Sequence, residues 1–426
     1  MAIQRLEIHG FRSFKDVVWS PGKLNLLVGP NGSGKSNLLR LLELISTAAR
    51  GELLKWFTDA GGIVPILWDH QPGKCYWKVR FDPVDETLDR EKDALTYELE
   101  FSQVGSGSAY AITRDTLGSW YKHEHGTEKS PYWIFVRDAR RAHYYDQGAT
   151  GLASLKQESS DNPDGYDENE SLLSQIADLR NRVPVQTKRL IGGWRIHHDI
   201  HAERGSPMRL PATTQYATQM ESDGRNLIAV LHTAYTGNRD FQKAIDEGMT
   251  AAFGEEYHQL IFQPAAAQQI QFAIQWKSSS QPHAGQDLSD GTLRFLFLLT
   301  ALANPEPPDL IAIDEPEAGL HPSMLRIIAE YAAVAAEKTQ VIMTTHSPEF
   351  LDSFQGLDAQ VTTCLWEDGQ SFLYPLEAEM LEEWTKAYRL GQLFTRGDLD
   401  ALALPPVEQS DEVDQRLREL ARDDGS

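Results

Sequence analysis

The chain has 426 residues, of which 41% are hydrophobic and 24% charged, which suits a soluble protein with a substantial core and excludes a disordered or fibrous chain. Forty basic residues against 62 acidic ones give a formal charge of −22, which disfavours general coating of nucleic acid while leaving a local basic groove open. The two cysteines, Cys75 and Cys364, exclude a disulfide framework or an all-cysteine zinc site, and the longest apolar run, Phe295 to Ala303, is too short to span a membrane.

Taken in chain order, Ile3–Ile8 alternates as a strand rather than opening a secretory leader, so a cytoplasmic location is expected. Leu24–Val28 reads as a buried strand, and an apolar helix follows from Asn37 to Ile45. Tyr76–Phe81, Leu95–Phe101 and Ala109–Thr113 read as antiparallel strands, with turn chemistry at Gly105-Ser106-Gly107. Residues 157–171 hold six acids and no base, and the expectation is a mobile surface loop. A helix is expected over Leu172–Leu179, then an irregular stretch to about 220. Beyond Asn226 the apolar strands Leu310–Ile313 and Gln340–Met343 flank a helix at about 323–337, the rhythm of a mostly parallel, doubly covered sheet. Glu408–Ser426 reads as a short helix with a loose end, and neither repeats nor sustained heptads occur.

Gly29-Pro30-Asn31-Gly32-Ser33-Gly34-Lys35-Ser36 joins the strand at 24–28 to the helix and matches a phosphate-binding loop. Its glycines let successive N–H groups converge on phosphate oxygens, and the helix N-terminus adds partial positive charge. Asn31, Gly32, Ser33, Gly34, Lys35, Ser36 and Asn37 are therefore the candidate ATP-binding residues, with Lys35 bridging the β- and γ-phosphates and the Ser36 hydroxyl on Mg²⁺. The strand at 310–313 ends in Asp314 and Glu315; buried acids there need a cation or a water. Asp314 suits Mg²⁺ and Glu315 suits the base that polarises the attacking water. His346, at the end of the next strand, can donate to a γ-phosphate. Gln71, in Asp69-His70-Gln71-Pro72-Gly73, reads from its neighbours as a plain turn residue. His123, His125, His197, His198 and His201 are read as surface histidines.

Asp287-Leu288-Ser289-Asp290-Gly291-Thr292 resembles the signature motif of ABC-type ATPases, and Asp314-Glu315-Pro316-Glu317-Ala318-Gly319-Leu320-His321-Pro322 resembles their extended Walker B segment and D-loop. The opening Ile8-His9-Gly10-Phe11-Arg12-Ser13-Phe14 is similar to the RecF/SMC/OLD branch, whose members act in DNA repair and phage defence. The matched motifs cover about 1–47 and 285–350. The resemblance implies a P-loop α/β fold, an ABC-type ATPase head with a mostly parallel core sheet, an antiparallel β subdomain and a helical insertion. It also implies a head-to-tail homodimer or higher oligomer in which Ser289 and Gly291 grip the γ-phosphate held by the other copy. Arg12 would lie by the nucleotide and His346 would be the switch histidine. As an equal alternative to the turn reading, the resemblance implies that Gln71 is the Q-loop glutamine at the metal site. Asp290 departs from the usual glycine, and an acid near a γ-phosphate must point away.

The expected organisation is an N-terminal lobe at 1–135, an insertion at 136–225, a C-terminal lobe at 226–390 and an acidic tail at 391–426. Without the SMC heptads or the nuclease domain of OLD proteins, the chain reads as a stand-alone ATPase head with a separate nuclease or toxin partner, and with no membrane partner. DNA is a candidate ligand through Arg137, Arg140 and Arg141 with Tyr144 and Tyr145, and through Arg180, Arg182, Lys188, Arg189 and Arg195 with Trp194. The alternative for these bases is pairing with the acidic loop. Two other functions share the motifs: a transporter's ATPase subunit, which the long interval between loop and signature disfavours, and an ATP-holding scaffold, which Glu315 disfavours.

Overall fold

The computed structural model describes residues 2–68, 73–82, 94–120, 132–138, 141–145, 152–155, 166–176, 182–266, 268–377, 381, 385 and 388–399. Gln71, His123, His125, Arg140, Arg180 and the 408–426 tail lie outside them.

Three sheets organise the fold. An antiparallel sheet of eight strands contains β1 (Ile3–Phe11), β2 (Phe14–Trp19), β4 (Lys74–Phe81), β5 (Ala94–Gln103), β6 (Tyr110–Trp120), β7 (Tyr132–Asp138), β8 (Ala142–Tyr145) and β9 (Leu152–Leu155), in the order β2-β1-β4-β5-β6-β7-β8-β9. The central sheet runs β10-β15-β16-β3-β17-β18, built from β3 (Leu24–Val28), β10 (Arg195–His197), β15 (Leu310–Ile313), β16 (Gln340–Thr345), β17 (Gln360–Glu367) and β18 (Gln370–Pro375). Its first five strands are parallel and β18 closes the edge antiparallel. A smaller sheet joins β11 (Ala212–Thr213), β12 (Tyr257–Ala265), β13 (Gln269–Trp276) and β14 (His283–Ala284).

β3 and β15 are buried at every residue, and apolar but for Asn25, because both faces are covered. Alternation assigns each side chain its face. Leu24, Leu26, Val28, Ile311, Ile313, Val341 and Met343 join a core with helices α5 (Leu227–Gly237), α6 (Arg239–Phe253), α7 (Asp290–Leu302), α8 (Pro322–Ala335) and α9 (Pro348–Asp352), named after the four earlier helices given below. Leu27, Leu310, Ala312 and Ile342 face the opposite core, shared by α1 (Lys35–Arg50), α2 (Leu53–Asp59), α3 (Leu172–Gln175), α4 (Arg182–Gly192) and the eight-stranded sheet. On α1, Leu38, Leu39, Leu41, Leu42, Leu44 and Ile45 are fully buried, which seats the helix, and with it the loop at its N-terminus. A last helix, α10 (Leu390–Arg396), packs on α9.

Several expectations change. The 172–220 stretch supplies α4 and also β10, which enters the central sheet beside β15. The end of the acidic segment is anchored, not mobile: the Glu170 carboxylate accepts the Leu53 and Leu54 N–H groups at the start of α2, and Ser171 is buried. His197 is not a surface residue. It is 1% exposed, its Nδ1 lies 2.9 Å from the Ser222 carbonyl, and burial lowers its pKa to about 4. His198 is half-buried against Glu43, 3.4 Å away.

Candidate active site

The phosphate-binding loop joins β3 to α1 and is pressed against the neighbouring hairpin: a Cβ on Gly29 would stand 2.2 Å from the Cys364 carbonyl oxygen, and one on Gly34 2.3 Å from Ser371 Oγ. Gly34 is the N-cap of α1 at φ 110°, a left-handed conformation open to glycine, and no side chain caps the first turn. The free N–H groups at that terminus suit an anion. Ser33 Oγ is buried without a hydrogen-bond partner, and Ser36 is exposed at the mouth. Asn37 Nδ2 donates to Ser13 Oγ at 2.8 Å, tying α1 to the turn between β1 and β2. Lys35 is 4% exposed and donates to the Gly29 and Pro30 carbonyls at 2.7 and 3.0 Å. Burial lowers its pKa, opposed by Cys364, Glu315, Asp314 and Glu317, so the acids of the β15 segment lie within electrostatic reach of the lysine.

Those acids are arranged by two strands. Asp314 accepts the Thr344 hydroxyl, and the Glu315 N–H donates to the same oxygen at 3.1 Å. Glu315 sits at φ 44°, left-handed and non-glycine, a conformation that costs about 1–3 kcal/mol and is held here by its neighbours. Its Oε1 accepts from His346 Nδ1 at 2.8 Å, so the structure brings the proposed base and the proposed sensor together. Burial raises the pKa of Glu317, which accepts the Thr345 hydroxyl and is opposed by His346.

Ser289 is the N-cap of α7, its Oγ accepting the Thr292 N–H at 3.1 Å. Gly291 approaches the loop after β15 closely: a Cβ there would stand 2.6 Å from the Gly319 carbonyl oxygen. The Asp290 carboxylate turns to Arg209, a 4%-exposed guanidinium that also donates to the carbonyls of Ala202, Glu203, Gly285, Gln286 and Leu288. The acid in the signature is thus neutralised from within the same chain. Arg12 is left-handed at φ 50°, with its N–H on the Ile66 carbonyl at 2.7 Å; burial and Arg40 lower its pKa, and its Nε has no partner.

Sequence reasoning missed Arg209, Arg294 and the threonines. Arg294 donates to the Glu315 carbonyl at 3.0 Å and lies within electrostatic reach of Glu315 and Glu317. Its one sequence signal is its place a turn after Asp290 on α7. Part of each basic cluster turns inward. Arg137 is 4% exposed and donates to the Glu168 and Glu170 carbonyls, while Trp194 is 1% exposed and packs edge-on to Phe81, so neither faces a strand of DNA. Lys188 donates to the Ser174 carbonyl, and Arg141, Arg182 and Arg189 remain exposed. Among the described residues no cluster of three or more histidine, cysteine, aspartate or glutamate side chains forms a metal cage, and no helix is long and apolar enough to cross a membrane.

A phosphate loop after β3, paired acids at the end of β15 and a histidine at the end of the intervening β16 define a P-loop ATPase head of the ABC type. The chain belongs to the family described as "AAA domain, putative AbiEii toxin, Type IV TA system", which matches residues 73–352, and an AAA ATPase domain pattern matches 1–99. An SMC head solved bound to the C-winged helix domain of ScpA shares the fold at TM-score 0.53 and 14% identity, over 90% of this chain and all of that one. Two curated proteins match over short stretches. CcmA, the cytochrome c biogenesis ATP-binding export protein of Rhodospirillum rubrum, is 41% identical over 69 residues, 16% of this chain and 28% of its own length. The structural maintenance of chromosomes protein 5 of Arabidopsis thaliana is 41% identical over 63 residues, 15% of this chain and 6% of its own length. The chain thus spans under a third of either curated relative.

Proposed function

We propose that this chain hydrolyses ATP to ADP and phosphate and works as a dimerising switch in phage defence or DNA repair, acting in the cytoplasm through a separate nuclease or toxin. The observation that carries the reading is the Glu315–His346 pair, 2.8 Å apart at the ends of neighbouring strands, with Glu315 within electrostatic reach of Lys35. Asn31 to Asn37 cradle the triphosphate, and Lys35 leaves the loop carbonyls for phosphate oxygens. Glu315 accepts the proton of the attacking water, and His346 holds the γ-phosphate. Ser36, exposed at the start of α1, and Asp314, at the end of β15, would hold Mg²⁺, which would neutralise phosphate charge. Gln71 stays a candidate for the same site. Arg12 lies beside the nucleotide. Ser289 and Gly291, with Asp290 drawn aside by Arg209, present the N-terminal end of α7 to a nucleotide on the other copy. The four-part division at 135, 225 and 390 goes with this reading, the middle part lending its β10 to the core sheet. The family's toxin–antitoxin description favours defence over repair, and the exposed arginines leave room for salt-sensitive DNA contact.

The test is Glu315→Gln. Turnover should fall at least about 100-fold while ATP binding survives, because the variant loses the base and keeps the cradle. ATP should then hold two copies together on size exclusion. Wild-type turnover in Glu315→Gln would refute the mechanism.

A further inference from the structure

Trp366 stands out among the exposed large side chains: it is 53% exposed and lies two residues beyond Cys364, which touches the phosphate loop. β17 runs parallel to β3, with Thr363 beside Val28, the last residue before the loop. Cys364, next along, donates its thiol to the Ser33 carbonyl at 3.1 Å. Trp366 has the same parity as Cys364, so its ring leaves the same face of the sheet. A second register agrees. Trp366 pairs with Ser371 across the β17–β18 hairpin, and Ser371 Oγ is the nearest atom to the place a Gly34 Cβ would occupy. Paired residues point to one side, so the indole emerges beside the loop and the start of α1. The Ser371 N–H donates to the Ser13 carbonyl at 2.8 Å, fixing the hairpin against the Arg12–Ser13 turn.

The direction of a bound nucleotide follows from the sheet order. Asp314, Glu315 and His346 lie on the β15–β16 side of β3 and mark where the terminal phosphate reacts. A nucleotide whose phosphates cross the loop must carry its sugar and base toward the other side, where β17 and β18 lie. An exposed indole is the one large aromatic surface that the described residues of that hairpin offer there, and any nucleobase can stack on it.

We infer that Trp366 is the base-stacking platform of the nucleotide site. The inference rests on the proposed ATP reading and adds to it the subsite that tells a nucleotide from bare triphosphate. Stacking is tolerant of base identity, so GTP should bind nearly as well as ATP, while inorganic triphosphate, which lacks a base, should ignore Trp366.

The experiment measures dissociation constants of Mg-ATP and inorganic triphosphate for the full chain, Trp366→Ala, Trp366→Phe and Lys35→Ala. Trp366→Ala should weaken ATP by about tenfold or more and leave triphosphate unchanged, and Trp366→Phe should recover most of the loss. Lys35→Ala should weaken both ligands. If Trp366→Ala binds ATP as tightly as wild type while Lys35→Ala loses it, the base platform is refuted and the phosphate loop stands. Equal weakening of both ligands in Trp366→Ala would also refute it, because the ring would then be supporting the loop. If Lys35→Ala binds ATP like wild type, the underlying nucleotide reading falls as well.

Discussion

Replacing Arg209 by alanine separates the integrity of the signature segment from that of the phosphate loop. The guanidinium is buried, and its shortest neutral bonds are to the carbonyls of Ala202 at 2.6 Å and Leu288 at 2.7 Å. Removing it leaves at least these two carbonyls desolvated and unpaired, at about 1–3 kcal/mol each, so Arg209→Ala should cost about 2–6 kcal/mol. Asp290 is different. Its side chain is 65% exposed, so water can take the carboxylate's place at the edge of the guanidinium and Asp290→Ala should cost less, about 1 kcal/mol. Urea unfolding of both variants measures the difference. A function readout goes with it: Arg209 contacts no phosphate-loop residue, so ATP affinity should hold. Turnover should fall roughly tenfold or more because the start of α7 loses its position. Equal destabilisation by the two variants, or a wild-type unfolding midpoint for Arg209→Ala, would refute the network as described.

Asp115 makes stability depend on pH. Burial pushes its carboxyl up from 3.8 to about 7, against the Leu172 N–H, Arg137 and Ser171. A raised folded pKa means that the folded state holds the proton more tightly. The residue therefore costs nothing below about pH 4, destabilises increasingly as pH rises to about 7, and levels off at about 4 kcal/mol. Asp115→Asn keeps an acceptor for Leu172 and should flatten this slope in unfolding midpoints between about pH 5 and about pH 8; an unchanged slope would refute the assignment. Gly29→Ala would drive a Cβ into the Cys364 carbonyl and to 2.8 Å from Ser33 Oγ, so the loop or β17 must shift. It should lower stability by about 1–3 kcal/mol and weaken ATP, whereas Gly107→Ala, facing open space, should do neither in the same melting and binding assays.

Most of the reacting groups were legible as contiguous strings. A phosphate loop needs its glycines and lysine side by side, and paired acids end a single apolar strand, so Gly29–Ser36 and Asp314–Glu315 are readable residue by residue. The anchored end of the acidic segment was not legible. Composition at 157–171 signals a solvated loop, yet Glu170 caps α2 from 117 residues away along the chain. Trp194 and Arg137 show the same limit, since a base beside an aromatic reads alike whether the ring is solvated or buried.

The sequence by itself determined the chemistry: an anion cradle, a candidate base and sensor, and a mostly parallel sheet, all set by short-range spacing and strand periodicity. Tertiary structure decided what surrounds that chemistry. It placed β10, three residues too short to carry a periodic signal, beside the strand of the acids. It bent Asp290 onto Arg209 across 81 positions and joined Glu315 to His346 across 31. It left Trp366 exposed next to a loop more than 300 residues earlier in the chain. The physical reason is common to all four: burial and long-range pairing depend on which faces meet when the sheet closes, and no local pattern encodes that meeting.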